Sequence, residues 1–193
     1  MVRGRVITIS SIFAVLTSLG AQLAFYIGPV PITLQSFFVI LSGLVGGFTV
    51  GLLSQSIYLA MGLIGLPVFA GFRSGFTAFQ GPTAGYLISF PIAAATAGLT
   101  YNPSSGDQIF KGLVACILAE VIIYGLGVPW LIFWLSSFAG LEFSEAITRG
   151  IVAGSLVFLP GDGLKIAFIL YLLRRKEFSQ MIARFRAKQV PAS

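Results

Sequence analysis

The sequence predicts an all-α membrane protein, a bundle of six transmembrane helices with both termini on the cytoplasmic side. Three observations carry that prediction. Of the 193 residues 56% are hydrophobic, only 9% are charged, and the mean hydropathy is +0.96, where a soluble domain carries about 25% charge. The apolar residues run in blocks bounded by glycine and proline. The basic residues crowd the two ends of the chain. This balance excludes a soluble globular enzyme, a disordered chain and a nucleic-acid-binding domain. A spanning helix takes about 20 residues, so six occupy about 120, and residues 1–193 hold one membrane domain with a basic C-terminal tail.

The first span covers about Val6–Ile27 and stops at Gly28-Pro29-Val30-Pro31, where two prolines forbid a continuous helix. It reads as a retained membrane helix rather than a cleaved leader, since no small-residue cleavage site follows it. Spans two and three, about Ile32–Gly46 and Phe48–Ile64, are short and meet at Gly43, Gly46, Gly47 and Gly51. Small residues spaced by four let helices approach closely. After Gly65-Leu66-Pro67, residues Val68–Gly81 form an apolar glycine-rich loop holding Arg73. Span four covers about Pro82–Leu99, and Thr100–Gln108 is a polar turn through Asn102-Pro103-Ser104-Ser105-Gly106. Span five covers about Ile109–Gly127, and Val128-Pro129-Trp130 begins a separate apolar stretch to Phe138. Leu141–Arg149 reads as a short polar segment, Gly150–Leu173 as span six, and the tail from Arg174 as amphipathic and basic.

Nine of the twelve basic residues fall on the side of the termini: Arg3, Arg5, Lys111 and the six between Arg174 and Lys188. Arg73 and Arg149 fall on the other side, and Lys165 within span six. The positive-inside rule therefore makes the termini cytoplasmic and turns the Arg73 and Pro29–Pro31 loops outward. Basic residues beside a span also favour anionic headgroups, which accounts for the pI near 9.8 without nucleic acid.

The inventory narrows the chemistry. There is no histidine for a proton shuttle or metal, and Cys116, alone, reads as a small buried residue. No phosphate-binding loop appears, so any uphill transport draws on a partner or an ion gradient. No cofactor is expected.

Three charged residues fall inside spans: Glu120, Asp162 and Lys165. Such charges are costly and normally face inward in pairs. Asp162 and Lys165 are three apart and share a helix face. Pro160 and Gly161 precede them, and a broken membrane helix is tolerated where its open backbone lines a cavity. The segment Leu159–Lys165 is therefore the foremost candidate site, suited to a small molecule with an N–H-rich end and a carboxylate end. A salt bridge that merely braces a kinked helix is the competing reading. Glu120, four residues before Tyr124, is placed to bond that phenol. Arg73 is a second candidate clamp for an anion, against a headgroup contact. Tyr86 offers a ring and a hydroxyl at the outer interface, against a simple aromatic belt. Thr33 and Gln35 are the polar groups nearest the Pro29–Pro31 loop. In the first span Ser10, Ala14 and Ser18 form a ridge of small residues suited to close helix packing.

Four motifs then stand in one order: Pro29-Val30-Pro31-Ile32-Thr33-Leu34-Gln35, Gly65-Leu66-Pro67-Val68-Phe69, Gly81-Pro82-Thr83-Ala84-Gly85-Tyr86-Leu87 and Pro160-Gly161-Asp162-Gly163-Leu164-Lys165. Over nearly its whole length the chain resembles the BioY family, biotin-specific S components of energy-coupling factor (ECF) transporters. Two departures stand out: Ala84 replaces a second glycine, and the loop Phe72–Phe79 is less glycine-rich than the family's. The resemblance implies the six-helix S-component fold in a prokaryotic plasma membrane and high-affinity capture of biotin from outside. It implies partners, namely a transmembrane coupling subunit and two ATPases, and a toppling motion that releases biotin inward. It places Asp162 on the ureido N–H groups, Lys165 on the valerate carboxylate and Tyr86 against the fused rings. Thr83, Gln80, Gln35, Arg73 and Glu120 complete the candidate binding set. The ridge Ser10, Ala14 and Ser18 becomes the docking face for the coupling subunit. Other readings are the same fold serving another vitamin, a solitary ion-coupled carrier, and, far behind, an intramembrane enzyme.

Overall fold

The computed structural model describes residues 2–103 and 106–188, with side chains from Gly4 onward. Ser104 and Ser105 of the expected turn, and the side chain of Arg3, lie outside the described residues.

Helix α1 (Val2–Gln22) ends before the expected Ile27 because the chain turns into a small ribbon. There β1 (Ala24–Phe25) pairs antiparallel with β2 (Ile32–Thr33), folding the Pro29–Pro31 segment back on itself. Helix α2 (Gln35–Leu63) is two helical arms joined at a non-helical residue, Gly47. Gly47 has φ 75° and ψ −173°, a conformation open to glycine and closed to most other residues, and the chain reverses there. Gln55 Nε2 donates to Ser42 Oγ at 3.4 Å and Gln35 Nε2 to Tyr58 Oη at 2.7 Å. A straight helix would hold those pairs about 20 Å and 35 Å apart. The arms, residues 35–46 and 48–63, are the expected second and third spans, packed as a hairpin.

Helix α3 (Ala84–Thr100) lies against that hairpin backbone to backbone. A Cβ on Gly43 would sit 2.0 Å from the Ala94 carbonyl oxygen, and one on Gly98 would sit 2.3 Å from the Gly47 backbone. The glycine spacing of the second and third spans thus encodes helix contact, as small-residue spacing does in lipid.

Helix α4 (Gln108–Ser137) starts on Asp107, whose carboxylate accepts from the amides of Ile109 (2.9 Å) and Phe110 (3.1 Å). It continues through Pro129, correcting the expected stop at Gly127. Proline is tolerated inside membrane helices where neighbours meet the freed groups. Beyond it, the indole N–H groups of Trp130 and Trp134 donate to the carbonyls of Gly81 and Gln80, both at 2.9 Å, tying the second half of α4 to the turn ahead of α3.

The expected polar segment before span six is itself helical. Helix α5 (Phe143–Ile151) carries an i,i+4 pair between Glu145 and Arg149 at 2.7 Å. A π-turn over Val152–Leu156 follows, then α6 (Leu159–Arg174) and α7 (Lys176–Ala187). Pro160 lies in the first turn of α6, where its missing N–H costs nothing. The backbone disturbance expected around it is the π-turn just upstream.

Gly4–Gln22, Gln35–Leu63, Gln108–Ser137 and Phe143–Arg174 are long and apolar enough to cross a membrane, and Ala84–Thr100 is a shorter apolar helix. With α2 counted as two arms, six helical passes result, as the sequence predicts. The core runs through the interfaces of α1, α2, α3 and α4, with Cys116 fully buried in it.

Two features fix the ends of the bundle. At one end α7 is pinned by Arg186, whose guanidinium donates to the carbonyls of Gly43 (2.7 Å), Leu44 (2.8 Å) and Tyr101. These carbonyls sit where the first arm of α2 and α3 end, so a cation answers acceptors their helices leave open. At the other end, Gln22 closes α1 against the loop before α3. Its amide donates to the carbonyl of Phe69 at 3.2 Å and accepts from the amide of Phe72 at 3.1 Å.

The small residues of α1 face inward. Ser10 and Ala14 are fully buried within the chain, and Ser18 is half-buried with its hydroxyl donating to the Ala14 carbonyl. Small residues at this spacing let α1 approach α2, so the ridge is used up inside the bundle. The outward face of α1 carries Ile12, Val15 and Leu19 instead.

Candidate functional site

A cavity opens between the ends of α2, α3, α4 and α6 that lie away from the chain termini. The space among its lining residues, with the open mouth included, is about 720 Å³. Asp162 and Lys165 lie at its wall, and the sequence reading brings most of its other candidates here: Gln35, Arg73, Thr83, Tyr86 and Glu120 all line it.

The polar node is built by α6, α2 and α4 together. Lys165 Nζ donates to Asp162 Oδ1 at 2.8 Å and to Ser36 Oγ at 3.0 Å. Ser36 Oγ donates in turn to Asp162 Oδ1 at 3.4 Å, and the Tyr124 hydroxyl donates to Asp162 Oδ2. Asp162 is only 6% exposed and Glu120 only 7%. Both carboxylates face the same space, and Glu120 Oε1 has no hydrogen-bond partner. The node therefore offers a carboxylate, an ammonium and one unclaimed acceptor at one end of an otherwise apolar and aromatic chamber. Phe69, Leu87, Phe90, Ile123 and Phe158 supply the apolar walls.

Several individual expectations change. Glu120 does not bond Tyr124; that phenol is taken by Asp162 across the α4–α6 interface. Tyr86 is no interfacial belt residue. Its ring is buried against Gly127, and its hydroxyl donates to the Gly154 carbonyl at 2.7 Å. The π-turn presents that carbonyl, so the hydroxyl is spent on architecture while the ring faces the cavity. Gln35 is likewise committed: it donates to Tyr58 and its Oε1 accepts from Thr33 Oγ1 at 2.9 Å. Gln80 does not line the cavity; its side chain is exposed and its carbonyl is held by Trp134. Arg73 is exposed at the mouth and forms no ion pair among the described residues.

Asp162 and Lys165 pair with each other at one end of the cavity. Among the described lining residues the second cation is Arg73, at the mouth. The sequence reading missed Ser36, which bridges Asp162 and Lys165, and Gln22, which ties down the loop carrying Arg73. Ser36 directly follows Gln35 in the first motif, a local signal; its bond to α6 spans 126 residues and has none.

Six apolar helical passes around a chamber with a charged end define an integral membrane protein with an embedded cavity. The chain belongs to the BioY family, whose model matches residues 2–181. It is 39% identical over 173 residues to the "Probable biotin transporter BioY" of Pyrococcus horikoshii, covering 90% of this chain and 96% of that one. It is 34% identical over 181 residues to the "Biotin transporter BioY" of Rhizobium etli, covering 89% and 91%. Its fold matches a crystal structure at 2.1 Å described as the S-component for biotin from an ECF-type ABC transporter, with a TM-score of 0.75, 24% identity, and 96% of this chain and 92% of that one covered.

Proposed function

We propose that this chain takes up biotin, binding it in the cavity between α2, α3, α4 and α6. One observation carries the reading: in a member of the BioY family, the acceptors and donors of the cavity converge on one polar node facing an aromatic chamber. A ureido group has two N–H donors and one carbonyl. Asp162 and the unclaimed oxygen of Glu120 are acceptors for the N–H groups, and the Lys165 ammonium is a donor for the carbonyl. The fused rings pack on Tyr86 and Phe90, and the valerate carboxylate reaches Arg73 at the mouth. Lys165 thus moves from the carboxylate end, where the resemblance puts it, to the ureido end.

The termini, with their basic residues, face the cytoplasm, and the cavity opens outward. The chain acts as the S component of an ECF-type importer, together with a transmembrane coupling subunit and two ATPases. The absence of a phosphate loop in the sequence supports this, as does the fold match. The coupling subunit docks on a lipid-facing surface, not on Ser10, Ala14 and Ser18.

The test is isothermal titration of the purified protein in detergent with biotin, beside Asp162→Asn. One-to-one binding that the variant loses supports the site. A folded protein that ignores biotin removes biotin as the ligand. Uptake into vesicles with and without the ATPases then separates a coupled importer from a solitary carrier.

A further inference from the structure

At the end of the bundle away from the cavity, the first turns of α1 and the last turns of α7 enclose a second groove. Gly4, Arg5, Thr8 and Ile9 line it from α1, Arg184 and Phe185 from α7, and Lys188 from the C-cap of α7. Three of its seven lining residues are cations, and none of the three has an acidic partner among the described residues, where the ion pairs are Glu145–Arg149 and Asp162–Lys165. Arg184 and Lys188 stand four apart on one helix face, a like-charge arrangement that is unfavourable on its own. Helix α7 cannot turn to relieve it. Arg186, on another face, is held by the carbonyls of Gly43 and Leu44, and Ile182 is fully buried. Arg5 adds a third positive charge from the neighbouring helix.

The groove is also amphiphilic. Ile9 and Phe185 are half-buried in its wall, and α1 presents Ile7 and Ile12 outward beside it. Guanidinium groups suit phosphate oxygens bidentately and a lysine adds a point charge. A soluble anion would use the cations and leave the apolar wall and the lipid-facing flank idle. We propose that this groove is a binding site for an anionic phospholipid, with the headgroup phosphate held by Arg5, Arg184 and Lys188 and the upper chain methylenes against Ile9 and Phe185.

The test compares thermal unfolding of the full chain in a neutral detergent after addition of phosphatidylglycerol, phosphatidylcholine or inorganic phosphate. Three proteins are measured besides the parent: Arg184→Gln alone, the triple variant Arg5→Gln/Arg184→Gln/Lys188→Gln, and the control Arg174→Gln/Arg175→Gln, which removes two exposed cations elsewhere. Phosphatidylglycerol is expected to raise the parent's midpoint by several degrees and the control's equally. Arg184→Gln is expected to lose part of that rise and the triple variant nearly all of it. Native mass spectrometry should then show retained phosphatidylglycerol on the parent and not on the triple variant. An equal rise with phosphatidylcholine, an equal rise with inorganic phosphate, or an undiminished rise in the triple variant would each overturn the proposal. The single variant keeps the test decisive if the triple one does not fold.

Discussion

Replacing Arg73 with Gln separates the two ends of the bound ligand. Arg73 is exposed at the cavity mouth, while Lys165 is half-buried and paired with Asp162. An exposed ion pair contributes about 0.2–1 kcal/mol, and a charge-assisted hydrogen bond about 1.5–3 kcal/mol. A bidentate contact at a half-open mouth falls between, at about 1.4 kcal/mol, or about tenfold in affinity. Titration with biotin and with its uncharged amide reads that contribution directly. Arg73→Gln should weaken biotin about tenfold and leave the amide nearly unchanged. Lys165→Gln should weaken both ligands alike, because the group it loses faces the ureido ring. If Lys165→Gln spares the amide, or Arg73→Gln weakens both equally, the assignment of the two ends is wrong.

Tyr86→Phe keeps the ring and removes the bond to the Gly154 carbonyl, so it should cost about 1–3 kcal/mol of stability in a detergent melt while biotin affinity stays within a few-fold. Gly98→Ala drives a methyl group into the Gly47 backbone and should destabilise by about 1–3 kcal/mol, visible as a lowered melting midpoint with binding retained below it. Gln22→Ala frees the loop before α3 and should raise the biotin dissociation rate several-fold in a chase experiment; an unchanged rate would show that the loop does not close the site.

The passes through the membrane were legible because each is a block of apolar residues ended by glycine or proline. Even the reversal inside α2 could be read, since four closely spaced glycines have little use in an isolated helix. Pro129 misled, because a proline inside a membrane helix need not end it; α4 runs on through it, and Trp130 and Trp134 beyond it bond residues about 50 positions away. The small-residue ridge of α1 was visible, but a sequence does not say which way a ridge faces. At the site, residue types alone selected Asp162 and Lys165, since charge at membrane depth demands a reason. Their mutual contact, the theft of Tyr124 from Glu120 and the bridging role of Ser36 depend on three helices meeting, and no local pattern encodes that.

The hairpin at Gly47 has a consequence for the surrounding bilayer. Its arms rise about 18 Å and 24 Å at 1.5 Å per residue, against a hydrocarbon layer about 30 Å thick. The second arm carries Phe48, Leu52 and Leu63 on an exposed flank, so lipid there meets a wall shorter than itself. Acyl chains beside that flank must compress or splay, at a fraction of a kcal/mol per Å of mismatch. Long-chain lipids should therefore penalise the protein more than short-chain ones. Any tilt of the bundle toward the hairpin side relieves that compression, giving the membrane itself a preferred direction in which to tip the protein.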